Sequence, residues 1–274
     1  MFDNIVALYC ITDDLLKATG HTDDCRCQVT DAELITTAFT AALYFGGNLE
    51  TSRIFMKQTG LMPRMVSRSR FCRRLHRVAD LTYSLFHQLG LILKQADTKT
   101  EYLLDSFPVA VCDNIRISRC RIVQGEQFRG KCVAKRRYFY GVKVQVLTTA
   151  SGIPVEFAFL PGRASDTRGL DVLPLELRAG SEVFMDSGYT DYAAEDAARE
   201  ADGVVFSVCR KKNSKRRQEP MLEYYKVMMR KRIETSFSQI TSLFPRHLHT
   251  VTFRGFLMKI SFFIFAFTLE RAFI

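Results

Sequence analysis

Two aspartates and a glutamate stand in settings suited to metal-dependent chemistry. Asp105 lies in the segment LLDSF (103–107) and Asp186 in VFMDSGY (183–189), each closing an apolar run that predicts a buried strand. Glu234 lies in RKRIETSF (230–237), inside a basic amphipathic helix. A fold that joins two strand ends and one helix face converges three carboxylates on one point, and such hard oxygen donors bind Mg²⁺. Two ions about 4 Å apart can activate the attacking oxygen and stabilise the leaving oxygen of an in-line displacement. Without metal the three carboxylates repel, raising at least one pKa. Each acid alone would read as a cap, a turn or a surface charge; together their settings point to a site. Asp113, which follows the apolar run 109–112, competes with Asp105 for the first position.

Elements must carry these acids to one place. From residue 101 the pattern has the period of strands: 101–112 and 137–149 are strand-like, and Val142, Val144 and Val146 alternate with Lys143 and Gln145. A turn at 151–154 leads into a strand at 155–160. Ser165 and Asp166 cap a predicted helix running towards Arg178. A short strand at 183–185, a helix at 191–200, a strand at 204–209 and a long helix at 221–243 follow. Strands in a run, then alternating with helices, indicate an α/β domain with a mixed sheet, whose functional groups gather at strand carboxyl ends. In the long helix Ile233, Phe237, Ile240 and Phe244 form an apolar stripe, and Glu234 beside it shares a face with Arg230, Ser238 and Thr241.

The first hundred residues read as helices. Thr30 and Glu33 have the spacing of a capping box, Gly46-Gly47 stops the helix that follows, and Gly60 with Pro63 marks a turn. Five arginines (Arg68, Arg70, Arg73, Arg74 and Arg77) then surround Phe71 and Leu75, an i, i+4 pair. Short helices ending in an Arg-rich one fit a helix-turn-helix or a bundle with a solvated basic face. The polar stretch 95–100 divides the chain into a smaller all-helical domain, 1–98, read as DNA-binding, and an α/β domain, 99–274, with a basic loop near 210–220. The apolar C-terminal stretch 255–274 is interrupted by Lys259, Glu270 and Arg271, so it predicts a buried terminal helix instead of a membrane span.

Composition narrows the partner. The chain has 274 residues, 47% of them apolar, and a formal charge of +10, which suits a core of some size and a polyanionic partner. Eight cysteines without a regular framework, and an opening MFDNIVALYC without a secretory pattern, predict reduced thiols in the cytoplasm. His21, Cys25 and Cys27 are the one cluster with metal-ligand residue types, at a spacing unusual for zinc. No GxSxG or phosphate-loop motif offers a rival chemistry.

Basic residues also collect in three segments of the α/β part. The first runs through Arg129, Lys131, Lys135, Arg136 and Arg137, the second through Arg210, Lys211, Lys212, Lys215, Arg216 and Arg217, and the third is Arg230-Lys231-Arg232. Charge runs are commonly solvated loops. Placed around the acids, these read as phosphate grips that give affinity and salt sensitivity, leaving sequence choice to the helix of Arg68, Arg70, Arg73, Arg74 and Arg77.

The catalytic half resembles DDE transposases of RNase H-like fold, insertion-sequence family 982 among them. The resemblance rests on the ordered series LLDSFPVAVCDNIRI, YFYGVKVQVLTTASGIPVEFAFLPGRASDTRGLDVLP, FMDSGYTD and RKRIETSFSQI. It covers roughly residues 100–270. It implies an RNase H-like mixed sheet flanked by helices, with Asp105, Asp186 and Glu234 as the metal-binding acids; the LLDS block selects Asp105 over Asp113. It further implies two Mg²⁺ ions, with Mn²⁺ as a substitute, and an enzyme that cleaves the ends of an insertion sequence and joins the 3′-hydroxyls to target DNA. A homodimer on DNA, with terminal inverted repeats and target DNA as partners and a nucleoid-associated location, follows from the same source. Thr241 stands where such enzymes often carry Lys or Arg, and Gln145 where a Lys-x-His pair is common. The alternatives are a related nuclease without strand transfer and a catalytically defective DNA-binding relic.

Overall fold

The computed structural model describes residues 1–132, 137–216 and 218–274. The chain opens with helices α1 (Phe2–Ala18), α2 (Asp31–Tyr44), α3 (Leu49–Gln58), α4 (Arg68–Arg77) and α5 (Ala79–Ala96). Strands β1 (Glu101–Cys112), β2 (Arg129–Cys132), β3 (Arg137–Thr149) and β4 (Pro154–Pro161) follow, then helix α6 (Arg168–Val172). Strand β5 (Glu182–Met185), helix α7 (Tyr192–Ala201), strand β6 (Val205–Val208) and helices α8 (Pro220–Leu243) and α9 (Phe253–Phe273) complete it.

Two compact units emerge, Met1–Leu89 with Ile240–Ile274, and Gly90–Gln239. A single cut at 98/99 therefore does not describe the chain: residues 240–274, which the sequence groups with the α/β part, pack with the N-terminal helices. The reason is apolar surface. α9 is buried along most of its length, and Phe262 and Phe265 lie against Phe39 of α2, itself buried nearly all round. Thr30 and Glu33 start α2 as a reciprocal cap, the Glu33 amide donating to Thr30 Oγ1 at 3.1 Å and the Thr30 amide to Glu33 Oε2 at 2.7 Å. Gly47 closes the turn after α2 with φ +74°, and a Cβ there would stand 2.8 Å from the Phe263 ring. No helix is long and apolar enough to cross a membrane among the described residues.

The second unit is the expected α/β layer structure. Its sheet runs β4-β3-β1-β5-β6, with β2 extending the β4 edge of β3. β3 is antiparallel to both β1 and β4, whereas β1, β5 and β6 are mutually parallel. One face carries the core of Tyr102, Leu104, Leu147, Val183, Met185 and Val208. On the other face Phe107 meets Phe237 of α8 at 4.9 Å between ring centroids, and Phe184 meets Tyr225 at 5.6 Å. The predicted helix from Ser165 to Arg178 is only the five residues of α6: Pro174 lacks the amide a further turn needs.

Candidate active site

Parallel register fixes the two aspartates. Leu104 of β1 pairs with Met185 of β5, so Asp105 is the next residue of β1 and Asp186 the first residue past the end of β5. Asp105 is not at the end of its own strand, as the sequence suggested; it lies inside β1, where the pairing with β5 stops. Side chains alternate along a strand. With Leu104 and Met185 in the core, Asp105 shares the face of Phe107, and Asp186 that of Phe184, both turned towards α8. Asp113 follows the end of β1, eight positions and roughly 26 Å of strand beyond Asp105.

α8 supplies the third acid and a cation. Arg230 Nη1 is 3.1 Å from Asp186 Oδ1, Nη2 is 3.2 Å from Glu234 Oε1, and Nε is 4.0 Å from Asp105 Oδ2. One guanidinium thus contacts the Asp186 and Glu234 carboxylates and faces that of Asp105 at the outer limit of an ion pair. Each aspartate also accepts the amide of the serine after it, Ser106 N to Asp105 Oδ1 and Ser187 N to Asp186 Oδ1, both at 2.7 Å. Burial pushes the Asp105 pKa up to about 6; the Ser106 amide and Arg230 oppose the rise, and Asp186 and Asp166 add to it.

Asp166, which the sequence offers only as a helix cap, is a neighbour of these acids. Its Oδ1 accepts from Ser106 Oγ at 2.9 Å and from Lys143 Nζ at 3.0 Å. Gly188 leaves room for it: a Cβ there would stand 3.0 Å from Asp166 Oδ2. Tyr189 is buried, and its hydroxyl donates to Gln145 Oε1. Burial, with Asp105 and Asp166 close by, holds that phenol well above its usual pKa. Gln145 Nε2 is buried without a partner. The polar members of the β3 alternation therefore serve Asp166 and Tyr189 rather than solvent.

The carboxylate set fits a divalent cation. Its donors are hard oxygens, and the three acids already share one positive group, the Arg230 guanidinium. The guanidinium stands among them, and among the described residues only His21, Asp23 and Asp31 bring three ligand atoms within 4.8 Å of one another. That second group belongs to the helical unit. His21 Nε2 lies 3.1 Å from Asp31 Oδ2, Asp23 accepts the Asp31 amide, and Arg74 Nη2 binds Asp31 Oδ1 at 2.5 Å. These contacts fasten the start of α2. His21 is thereby grouped with aspartates instead of with Cys25 and Cys27, which are free thiols.

The basic residues take different places. Arg68, Arg70, Arg73 and Arg77 are exposed on α4, and the last three line one concavity with Arg26. Arg74 is tied to Asp31 and to the Val29 carbonyl. Arg137, Lys211, Lys212, Lys215 and Lys231 are exposed. Arg210 is buried in a two-point pair with Glu195, and Arg216 grips Asp196 while lying over the Tyr192 ring. Lys135, Arg136 and Arg217 lie outside the described residues.

Residues 95–249 match the Transposase DDE domain family. The chain belongs to the DDE transposases. Members of this family generally use divalent metal ions, consistent with the oxygen-rich site. A solved structure of similar fold is the piggyBac transposase in a synaptic complex with hairpin DNA, with a TM-score of 0.50 over 98% of this chain and 72% of that one, at 10% identity. No curated protein matches the chain in sequence.

Proposed function

We propose that this DDE transposase, of the insertion-sequence family 982 kind, cleaves DNA strands at the ends of its element and joins the freed 3′-hydroxyls to target DNA. The observation that carries this reading is the meeting of Asp105, Asp186 and Glu234 on one guanidinium, at the point where two parallel strands and α8 come together. These three residues would hold two Mg²⁺ ions, or Mn²⁺ in their place. Divalent cations bound there supply activation of the attacking oxygen and stabilisation of the leaving oxygen.

The chain's own groups prepare that site. The Ser106 and Ser187 amides orient the two aspartates, and Lys143 with Ser106 holds Asp166 beside them. Arg230 balances the carboxylates before a cation arrives, and once released it can meet a substrate phosphate. DNA is gripped through phosphates by exposed bases of α4 (Arg68, Arg70, Arg73, Arg77) and of the second unit (Arg137, Lys211, Lys212, Lys215, Lys231). By sequence, Arg136 and Arg217 belong to the same basic segments. Arg74 and Arg216, tied to acids of their own unit, act in place as supports. Two ends must be held together, so a homodimer forms on DNA.

A strand-transfer assay on DNA carrying the element's ends tests this. Purified protein with Mg²⁺ is expected to release ends and then give joined products with plasmid DNA. Cleavage without joined product would reduce the protein to a nuclease, and end binding without cleavage to a defective relic.

A further inference from the structure

The second unit carries a cationic cavity that the three acids do not occupy. It has a volume of about 450 Å³ and is lined by Arg129, Lys131, Tyr138, Lys143 and Arg163, with Glu126 as the acid of its wall. Glycines make it possible. β2 and β4 pair in succession along one edge of β3. A Cβ on Gly130 would stand 2.3 Å from the Gly162 carbonyl oxygen, and one on Gly162 2.7 Å from that of Phe128. The Arg163 amide donates to the Gln127 carbonyl at 2.9 Å and closes the joint. Side chains of three segments are thereby drawn around one concavity.

Of the four cations there, Lys143 is paired with Asp166 and Arg129 lies 3.7 Å from Glu126, which leaves the charges of Lys131 and Arg163 in excess. Like charges so arranged favour an anion between them. Tyr138 adds an aromatic wall: it is 57% exposed, with Lys131 Nζ 6.0 Å from its ring centroid. An exposed ring beside clustered cations is the pairing that binds single strands, the ring taking a base and the cations its phosphates. The cavity is also connected to the acids. Lys143 Nζ binds Asp166 Oδ1, which accepts from the hydroxyl of Ser106, next to Asp105.

We propose that this cavity holds one unpaired nucleotide of a DNA strand, its phosphate on Lys131, Arg163 and Arg129 and its base against Tyr138. The identity of the polyanion as DNA rests on the function proposed above; the choice of an unpaired nucleotide rests on the ring, because a stacked duplex offers no base face within its length.

Fluorescence anisotropy of the full chain tests it, with a short labelled single-stranded DNA and a blunt duplex of the same sequence, both in EDTA. Tyr138→Ala is expected to weaken single-strand binding roughly 5- to 100-fold, with little change on the duplex, and Tyr138→Phe to bind like wild type. Lys131→Ala with Arg163→Ala, which removes two of the three cations on that one phosphate, is expected to lower the salt slope for the single strand by up to about 0.7. These side chains are exposed, and unchanged thermal melting confirms that each variant is folded. Single-strand binding by Tyr138→Ala equal to wild type, an equal loss on the duplex, or an unaltered salt slope would overturn the proposal. Because binding is read without metal, Tyr138-dependent binding in a protein that never cleaves DNA would remove the enzymatic reading and leave this one. Cleavage with Tyr138-independent binding would do the reverse.

Discussion

Arg230 Nη1 lies 3.1 Å from Asp186 Oδ1, so a residue one helical turn before Glu234 is bound to the acid that follows β5. The same guanidinium reaches Glu234 and Asp105, and it therefore competes with a divalent cation for the carboxylates. Arg230→Gln leaves three acids without their shared countercharge. The metal-free variant should lose about 1–3 kcal/mol of stability at pH 8, with Mg²⁺ recovering most of it. Its affinity for Mn²⁺ should rise. Urea denaturation with and without Mg²⁺, and titration calorimetry with Mn²⁺, measure both; weaker Mn²⁺ binding by the variant would refute the competition.

Asp105 gives stability a pH dependence of known sign. Its folded pKa of about 6 exceeds an unfolded value of about 3.9. Between those values the folded state binds a proton that the unfolded state has lost. Stability from this group falls as pH rises through that window, by up to about 3 kcal/mol in metal-free protein. Asp105→Asn does not titrate. Its stability relative to wild type should grow from pH 4 to pH 6 and stay level above about pH 7. Denaturation across that range checks this, and a difference that is flat with pH would count against it.

Lys94 and Glu156 form a buried pair at 2.6 Å, and Glu156 also accepts the Leu175 amide at 3.0 Å. Lys94→Ala removes the cation and leaves the carboxylate in the core. A broken buried pair costs about 3–5 kcal/mol, and thermal or chemical denaturation should show a loss of that order. A loss under about 1 kcal/mol would mean that solvent reaches Glu156.

Gly90 lies inside α5, where alanine is intrinsically favoured by about 1 kcal/mol. A Cβ there would stand 2.0 Å from the Val155 carbonyl oxygen, which is backbone and cannot swing aside. Overpacking costs typically about 1–3 kcal/mol, so the clash outweighs the propensity. Gly90→Ala should lower the melting temperature; a rise would show that α5 can retreat from β4.

Local patterns reveal the elements better than they reveal the site. The alternation in β3, the apolar run before Asp186 and the stripe along α8 each specify an element that the structure contains. What they miss depends on contacts between distant residues. Alternation marked Lys143 and Gln145 as polar-facing, yet both faces of the sheet are covered, and these side chains turn to Asp166 and Tyr189. Asp166 follows β4 in a polar segment without an apolar run, so nothing local separates it from an ordinary cap. The i, i+4 spacing offers Arg230 to Glu234, but its reach to Asp186 exists only once α8 lies on the sheet. The C-terminal helix is legible as buried, whereas its partner α2 is chosen by surfaces more than two hundred residues apart.

Asp105, Asp186 and Glu234 are proposed to act on DNA as one metal-dependent site. The most direct measurement is the rate of Mg²⁺-dependent cleavage at the element's ends by wild type and by Asp105→Asn, Asp186→Asn and Glu234→Gln, each confirmed to bind the same DNA. Wild type is expected to cleave in a manner that EDTA abolishes, and every variant to lose at least about a thousandfold in rate, on the order of 4 kcal/mol of barrier. Cleavage at the wild-type rate by any one of the three would contradict this.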